Sequence, residues 1–76
     1  METQIKTGPV LTARQYEVLL LIAKGYTNAE IAKILVVTKH TVKAHICAIF
    51  EVLGTSSRVQ TVIKSLKLGI INVDEL

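Results

Sequence analysis

One cysteine, one proline and four glycines in 76 residues leave little that could staple this chain or break it up. The single Cys47 excludes an intramolecular disulfide framework. No basic n-region followed by an apolar h-region opens the sequence, so a cytoplasmic protein is the simplest expectation. Uninterrupted apolar runs such as Val18 to Ala23 reach only about six residues, far below the roughly 20 needed to cross a bilayer, and no membrane partner is expected. Paired carboxylates, a glycine-rich phosphate loop and a nucleophile-base motif are all missing, which argues against an enzyme. A metal site built from His40, His45 and Cys47 fails on geometry. On a helix His45 lies about 140° to 160° around the axis from the other two, while His40 and Cys47 stand about 10 Å apart along it. Neither a metal nor a cofactor is expected.

What remains is an apolar, basic chain. Half of the residues are hydrophobic, too many for a disordered tail. A chain this short buries only about 60 per cent of the surface its unfolded form exposes, so its core must be small. Formal charge is +3, but Glu2, Asp74 and Glu75 lie near the ends; nine bases then face three acids in the body, a formal +6. That balance suits a polyanionic partner, although many proteins with no such partner share it.

Three times a Ser or Thr precedes a Glu or Gln by three residues: Thr12 with Gln15, Thr27 with Glu30, Ser57 with Gln60. Each pair fits a capping box, in which the two side chains satisfy amides left unpaired at a helix start. Thr38 is a fourth start without the reciprocal partner. Glycines 25, 54 and 69 follow three of the resulting helices, where a left-handed residue commonly ends one. The expected fold is all-α, a compact four-helix domain with helices near 12–24, 27–35, 38–53 and 57–68. Residues 1–10 read as a leader or linker, 11–69 as the domain and 70–76 as a C-terminal tail. Leu11, Val18, Leu19, Ile22 and Ala23, then Ile31, Ala32 and Leu35, are core candidates by helical spacing.

Thr27 to His45, TNAEIAKILVVTKHTVKAH, is patterned as two short capped helices around a tight turn, which is how a helix-turn-helix reads. In the third helix Val42, Ile46, Ile49 and Leu53 share one narrow sector that must face the core. His40, Lys43, Ala44, Cys47 and Glu51 lie opposite. In the major groove of B-DNA, basic side chains near a helix N-terminus read base edges, and short ones allow close approach. Lys43 and Ala44 suit those jobs, with His40 and Cys47 on the same face. Thr38, Thr41 and the amides that open the second helix at Thr27 and Asn28 suit phosphates, with Lys39 beside them. Read alone, Lys39 and Lys43 would be a solvated helix face; the preceding helix and turn favour a groove-reading face.

With these residues in view, the chain resembles the LuxR/FixJ-type, or GerE/NarL-type, DNA-binding domain of bacterial transcription regulators. LTARQYEVLLLIAKG is similar to that family's LTxRExEVLxLIAxG, TNAEIA to its SNKEIA, and TVKAH with Ile49 and Leu53-Gly54 to its TVKxHxxxIxxKLG. The resemblance implies a third helix in the major groove and a fourth that mediates dimerisation on DNA. It implies base-facing Lys43, Ala44 and Cys47, and phosphate contacts around Thr27, Asn28, Thr38, Thr41, His45 and Ser56. His45 sits toward the core edge of its helix, so a structural, hydrogen-bonded histidine is an equal reading. Family members usually carry a receiver or ligand-binding domain before this one, although stand-alone examples exist.

The chain also departs from the family pattern. Val36 stands in the turn where many such proteins place glycine; a β-branched residue resists positive φ, so another turn conformation is expected. Glu51 and Val52 stand where lysines are frequent, and Cys47 where a polar or basic residue is. Each lost phosphate contact lowers the salt slope by about 0.9, so weaker DNA binding than is typical of the family is expected. Cys47 is read as a small apolar groove contact rather than an oxidant sensor, since only Lys43 or His40 would lower its pKa.

On the fourth helix Val59, Val62, Ile63 and Leu66 cluster on one side and are expected to pack inward. Thr61, Ser65 and Leu68 lie opposite and are assigned to a two-fold dimer, with an ordinary solvated face as the alternative. Leu20, Val52, Ile70, Ile71 and Val73 exceed what so small a core needs and suggest contacts with a second subunit or a further domain. The expected function is sequence-specific binding of a pseudo-palindromic duplex DNA operator as a homodimer. The competing reading is a protein-interaction module on the same scaffold, docking a partner on the apolar second half of the third helix.

Overall fold

The computed structural model describes residues 11–76, so the expectation of a leader or linker over 1–10 lies outside the described residues. Four α-helices follow one another: α1 Ala13–Ala23, α2 Asn28–Leu35, α3 Lys39–Leu53 and α4 Arg58–Lys67, with a 3₁₀ turn at Val73–Glu75. No strand occurs among the described residues. The fold is all-α, and each helix begins within a residue of the position its cap indicates.

Local chemistry accounts for those starts. Thr12 and Thr27 close full capping boxes with Gln15 and Glu30. Thr38 accepts from the Thr41 amide at 3.1 Å and also donates its hydroxyl proton to Thr41 Oγ1. At α4 the box is displaced by one residue. Ser57 Oγ accepts from the Gln60 amide, but Gln60 Oε1 reaches back to the amide and hydroxyl of Ser56.

All four helices end in the same way, with an amide just past the last turn bonded to a carbonyl five residues earlier. The pairs are Tyr26 to Leu21, Val37 to Ala32, Thr55 to Phe50 and Ile70 to Ser65. This closure needs one left-handed residue. Gly25, Gly54 and Gly69 supply it at three helices; at α2 it is Val36, at φ 58° and ψ 50°. The expectation that valine would force a different turn is therefore corrected. The Schellman bonds of α2 outweigh the steric penalty, and Val36 is left 87% exposed, where its branches meet little.

Packing is organised around α3. Val42, Ile46, Ile49 and Leu53 are buried, as the helical wheel places them, against Val18, Leu19 and Ile22 of α1 and Ile31 and Ala32 of α2. Leu11, Leu35, Val37 and Leu20 are half-buried against this core.

Two expectations fail at the C-terminal end. Thr61 and Ser65, assigned to a dimer face, are fully buried, while Val59 and Ile63, expected inside, are 68% and 49% exposed. Burial of the two hydroxyls is tolerable because both are satisfied: Thr61 Oγ1 donates to the Ser57 carbonyl and Ser65 Oγ to the Thr61 carbonyl, each at 2.7 Å. Thr55 Oγ1 lies 2.6 Å from Thr61 Oγ1 and completes the pair. Small side chains on this face let α4 approach its neighbours closely, and Val62 and Leu66 flank them half-buried. Leu68 remains half-exposed at the end of the helix.

The 70–76 segment is not a tail apart from the domain. Ile71 is fully buried in the core, Ile70 is half-buried beside it, and the Tyr16 hydroxyl of α1 donates to the Glu75 carboxylate. Ile71 thus fills this domain's own core rather than a contact with another subunit. Val52 and Val73 stay exposed.

Candidate nucleic-acid interface

With one side of α3 locked into the core, its other side is set by geometry alone. Lys39, His40, Lys43, Ala44, Cys47 and Glu51 are all exposed. His40, Lys43, Ala44 and Cys47 form a stripe along the first two turns and a half, with alanine as its lowest point. A long basic side chain beside a methyl group is a shape that admits close approach of a base-pair edge. His45 is half-buried, at the border between stripe and core.

The residues expected to hold phosphates fall into two groups. Thr38, Lys39 and Thr41 gather at the start of α3, where the Thr38 hydroxyl caps the Thr41 amide. Thr27 and Asn28 lie at the other end of α2, a helix about 12 Å long, and Ser56 lies in the loop between α3 and α4. What ties the start of α4 to the start of α2 is Arg58, the first residue of α4. Its Nη1 donates to Asn28 Oδ1 and its Nη2 to the Tyr26 carbonyl, both at 2.7 Å. The first group flanks the stripe at the start of α3, and Ser56 lies just beyond the end of that helix. An elongated ligand with regularly spaced anions could touch the stripe and both flanks together.

Arg58 is the residue that sequence reasoning missed. A signal existed: α4 has no acidic residue in its first turn, so a cation at its first position opposes the helix dipole and needs another partner. Glu30 works against an anion at the start of α2, because its carboxylate already occupies the Thr27 amide. Cys47 is a free, exposed thiol within the stripe.

Residues 9–65 match the bacterial regulatory proteins of the luxR family. The chain belongs to that family. It is a luxR-type helix-turn-helix DNA-binding domain of the kind found in transcription regulators. Among its relatives are the response regulator protein VraR of Staphylococcus aureus and that of Staphylococcus saprophyticus. Each is 41% identical over 71 residues, covering 93% of this chain and 34% of VraR. A crystal structure of the Vibrio cholera VqmA-ligand-DNA complex superimposes with a TM-score of 0.80 at 27% identity, over 96% of this chain and 32% of that one. The luxR-type chain thus spans about a third of the length of these relatives. Among the described residues no single helix is long and apolar enough to cross a membrane.

Proposed function

We propose that this luxR-type domain binds duplex DNA sequence-specifically in the bacterial cytoplasm. It does so as the effector domain of a two-component response regulator or as a stand-alone regulator. The observation that carries the reading is the exposed His40, Lys43, Ala44, Cys47 stripe, backed by a buried Val42, Ile46, Ile49 face that holds α3 rigidly. Lys43 donates to acceptors on base edges and Ala44 and Cys47 make short apolar contacts, with His40 toward the N-terminal end. Thr27, Asn28, Thr38, Lys39, Thr41 and Ser56 bind the backbone on either side, and His45 reaches it from the border of the stripe.

Two copies bind a pseudo-palindromic operator, paired through α4. The buried Thr61 and Ser65 have no part in that pairing; the exposed Val59 and Ile63, with Leu68 at the helix end, form its apolar face. VraR being a response regulator, and VqmA having been crystallised with DNA, both support this reading. Selection of binding duplexes from a random library tests it. Enrichment of two inverted half-sites is the expected result. Enrichment of nothing would favour a protein-docking role instead, and enrichment of a single half-site would remove the dimer.

A further inference from the structure

Arg58 reaches from α4 across to α2, over 30 residues of chain to Asn28 and 32 to Tyr26. A guanidinium carries only donors, so the Asn28 atom that meets it must be the oxygen, and the amide nitrogen is turned the opposite way. Asn28 is the first residue of α2, and its main-chain amide is among those that a helix start leaves free. The Asn28 Nδ2 hydrogens are left free by this contact, and the side chain is held by a charge-assisted bond roughly twice as strong as a neutral one. Two of the five guanidinium hydrogens are engaged inside the protein, and the half-buried Arg58 is braced by the Tyr26 carbonyl against swinging outward.

We infer that Arg58 is a positioning residue for the DNA backbone: it fixes Asn28 so that the side-chain amide donates to a phosphate oxygen, rather than contacting phosphate itself. The inference rests on the DNA-binding reading above. It also ties α4, the helix assigned to the dimer, directly to the phosphate-binding end of α2 through one side chain.

A double-mutant cycle on the intact chain tests this, using Arg58→Lys, Asn28→Ala and the pair, with binding to a fluorescein-labelled duplex of about 20 base pairs read by anisotropy. Circular dichroism establishes that each variant is folded at the assay temperature. Each single change is expected to weaken binding by about 5- to 10-fold, the scale of one hydrogen bond. The double variant should be no weaker than Asn28→Ala alone. Lysine keeps the charge but not the fork, so wild-type affinity in Arg58→Lys would overturn the inference, as would losses that multiply in the pair. In Arg58→Gln, a salt slope lower by about 0.9 would make Arg58 a direct phosphate contact and equally overturn it. Without DNA, the Asn28 side-chain amide should show a rigid heteronuclear NOE in the wild type and a mobile one in Arg58→Lys; equal mobility contradicts the positioning. Failure of the wild type to bind any duplex would sink the DNA-binding reading and this inference with it. Binding with multiplicative losses sinks the inference alone.

Discussion

Replacing Val36 by glycine should stabilise this domain, against the usual direction of a change to glycine within a helical protein. Val36 holds φ 58° and ψ 50°, a conformation that costs an L-residue about 1–2 kcal/mol, with β-branched side chains at the unfavourable end. Glycine adopts it freely but gives up about 0.5–1 kcal/mol of extra backbone entropy on folding. Little burial is lost, because Val36 is 87% exposed. The balance is a gain of about 0.5–1 kcal/mol, which in a domain of this size raises Tm by about 2–8 °C. Thermal unfolding followed by far-ultraviolet circular dichroism, which reads the helical signal, measures it directly. Val36→Ala is the control: it removes the branch but keeps the Cβ that clashes in this region, so its gain should fall well short of the glycine variant's. A Val36→Gly protein that melts at or below the wild-type temperature, or an alanine variant that matches it, would refute the strain argument.

Ile71→Ala should cost about 2–4 kcal/mol in urea unfolding, as for other fully buried isoleucines, and a neutral result would return the C-terminal segment to solvent. The Tyr16 hydrogen bond holds the Glu75 carboxyl below the usual carboxylate range and raises the Tyr16 hydroxyl above the usual tyrosine value. Whatever stability this contact contributes is therefore present above the ordinary carboxylate pKa and disappears as pH falls through the depressed Glu75 value. It also disappears as pH rises through the elevated Tyr16 value. Stability of Tyr16→Phe should accordingly converge with the wild type's at both extremes, and a difference independent of pH would contradict that. On α4, Ile63→Glu should leave the monomer folded yet weaken binding to a two-half-site duplex by about tenfold or more, whereas Thr61→Glu should unfold the chain by burying a charge. The reverse outcome would restore the discarded dimer face.

Why α3 was legible and α4 was not is a matter of side-chain chemistry. Along α3 the buried residues are Val42, Ile46, Ile49 and Leu53, all apolar, and the opposite stripe is polar or small, so spacing alone sorts the two faces. Along α4 the buried centre is Thr61 and Ser65, whose hydroxyls are satisfied by the carbonyls one turn back, while Val59 and Ile63 face outward. Hydrophobic periodicity therefore misplaces Val59 and Ile63 while placing the half-buried Val62 and Leu66 correctly, and it misses the buried hydroxyl residues. Helix starts were readable because Thr12, Thr27, Thr38 and Ser57 act within three or four residues of themselves. The Arg58 contacts and the burial of Ile71 join distant parts of the chain, which local pattern does not encode. At Val36 the local steric rule was sound in itself, but it was overridden by the hydrogen bonds that end α2.

The claim on which the functional account depends is that the α3 stripe reads DNA, and Lys43 is its most direct handle. Equilibrium binding of the wild type and of Lys43→Ala to a selected duplex, compared with an unrelated one at about 50 mM and about 200 mM salt, measures it. Wild-type binding should weaken with salt, and Lys43→Ala should lose about 1–3 kcal/mol on the selected sequence alone. Equal losses on both duplexes would make Lys43 a phosphate contact. No detectable binding of the wild type to either duplex at the lower salt would contradict the account itself.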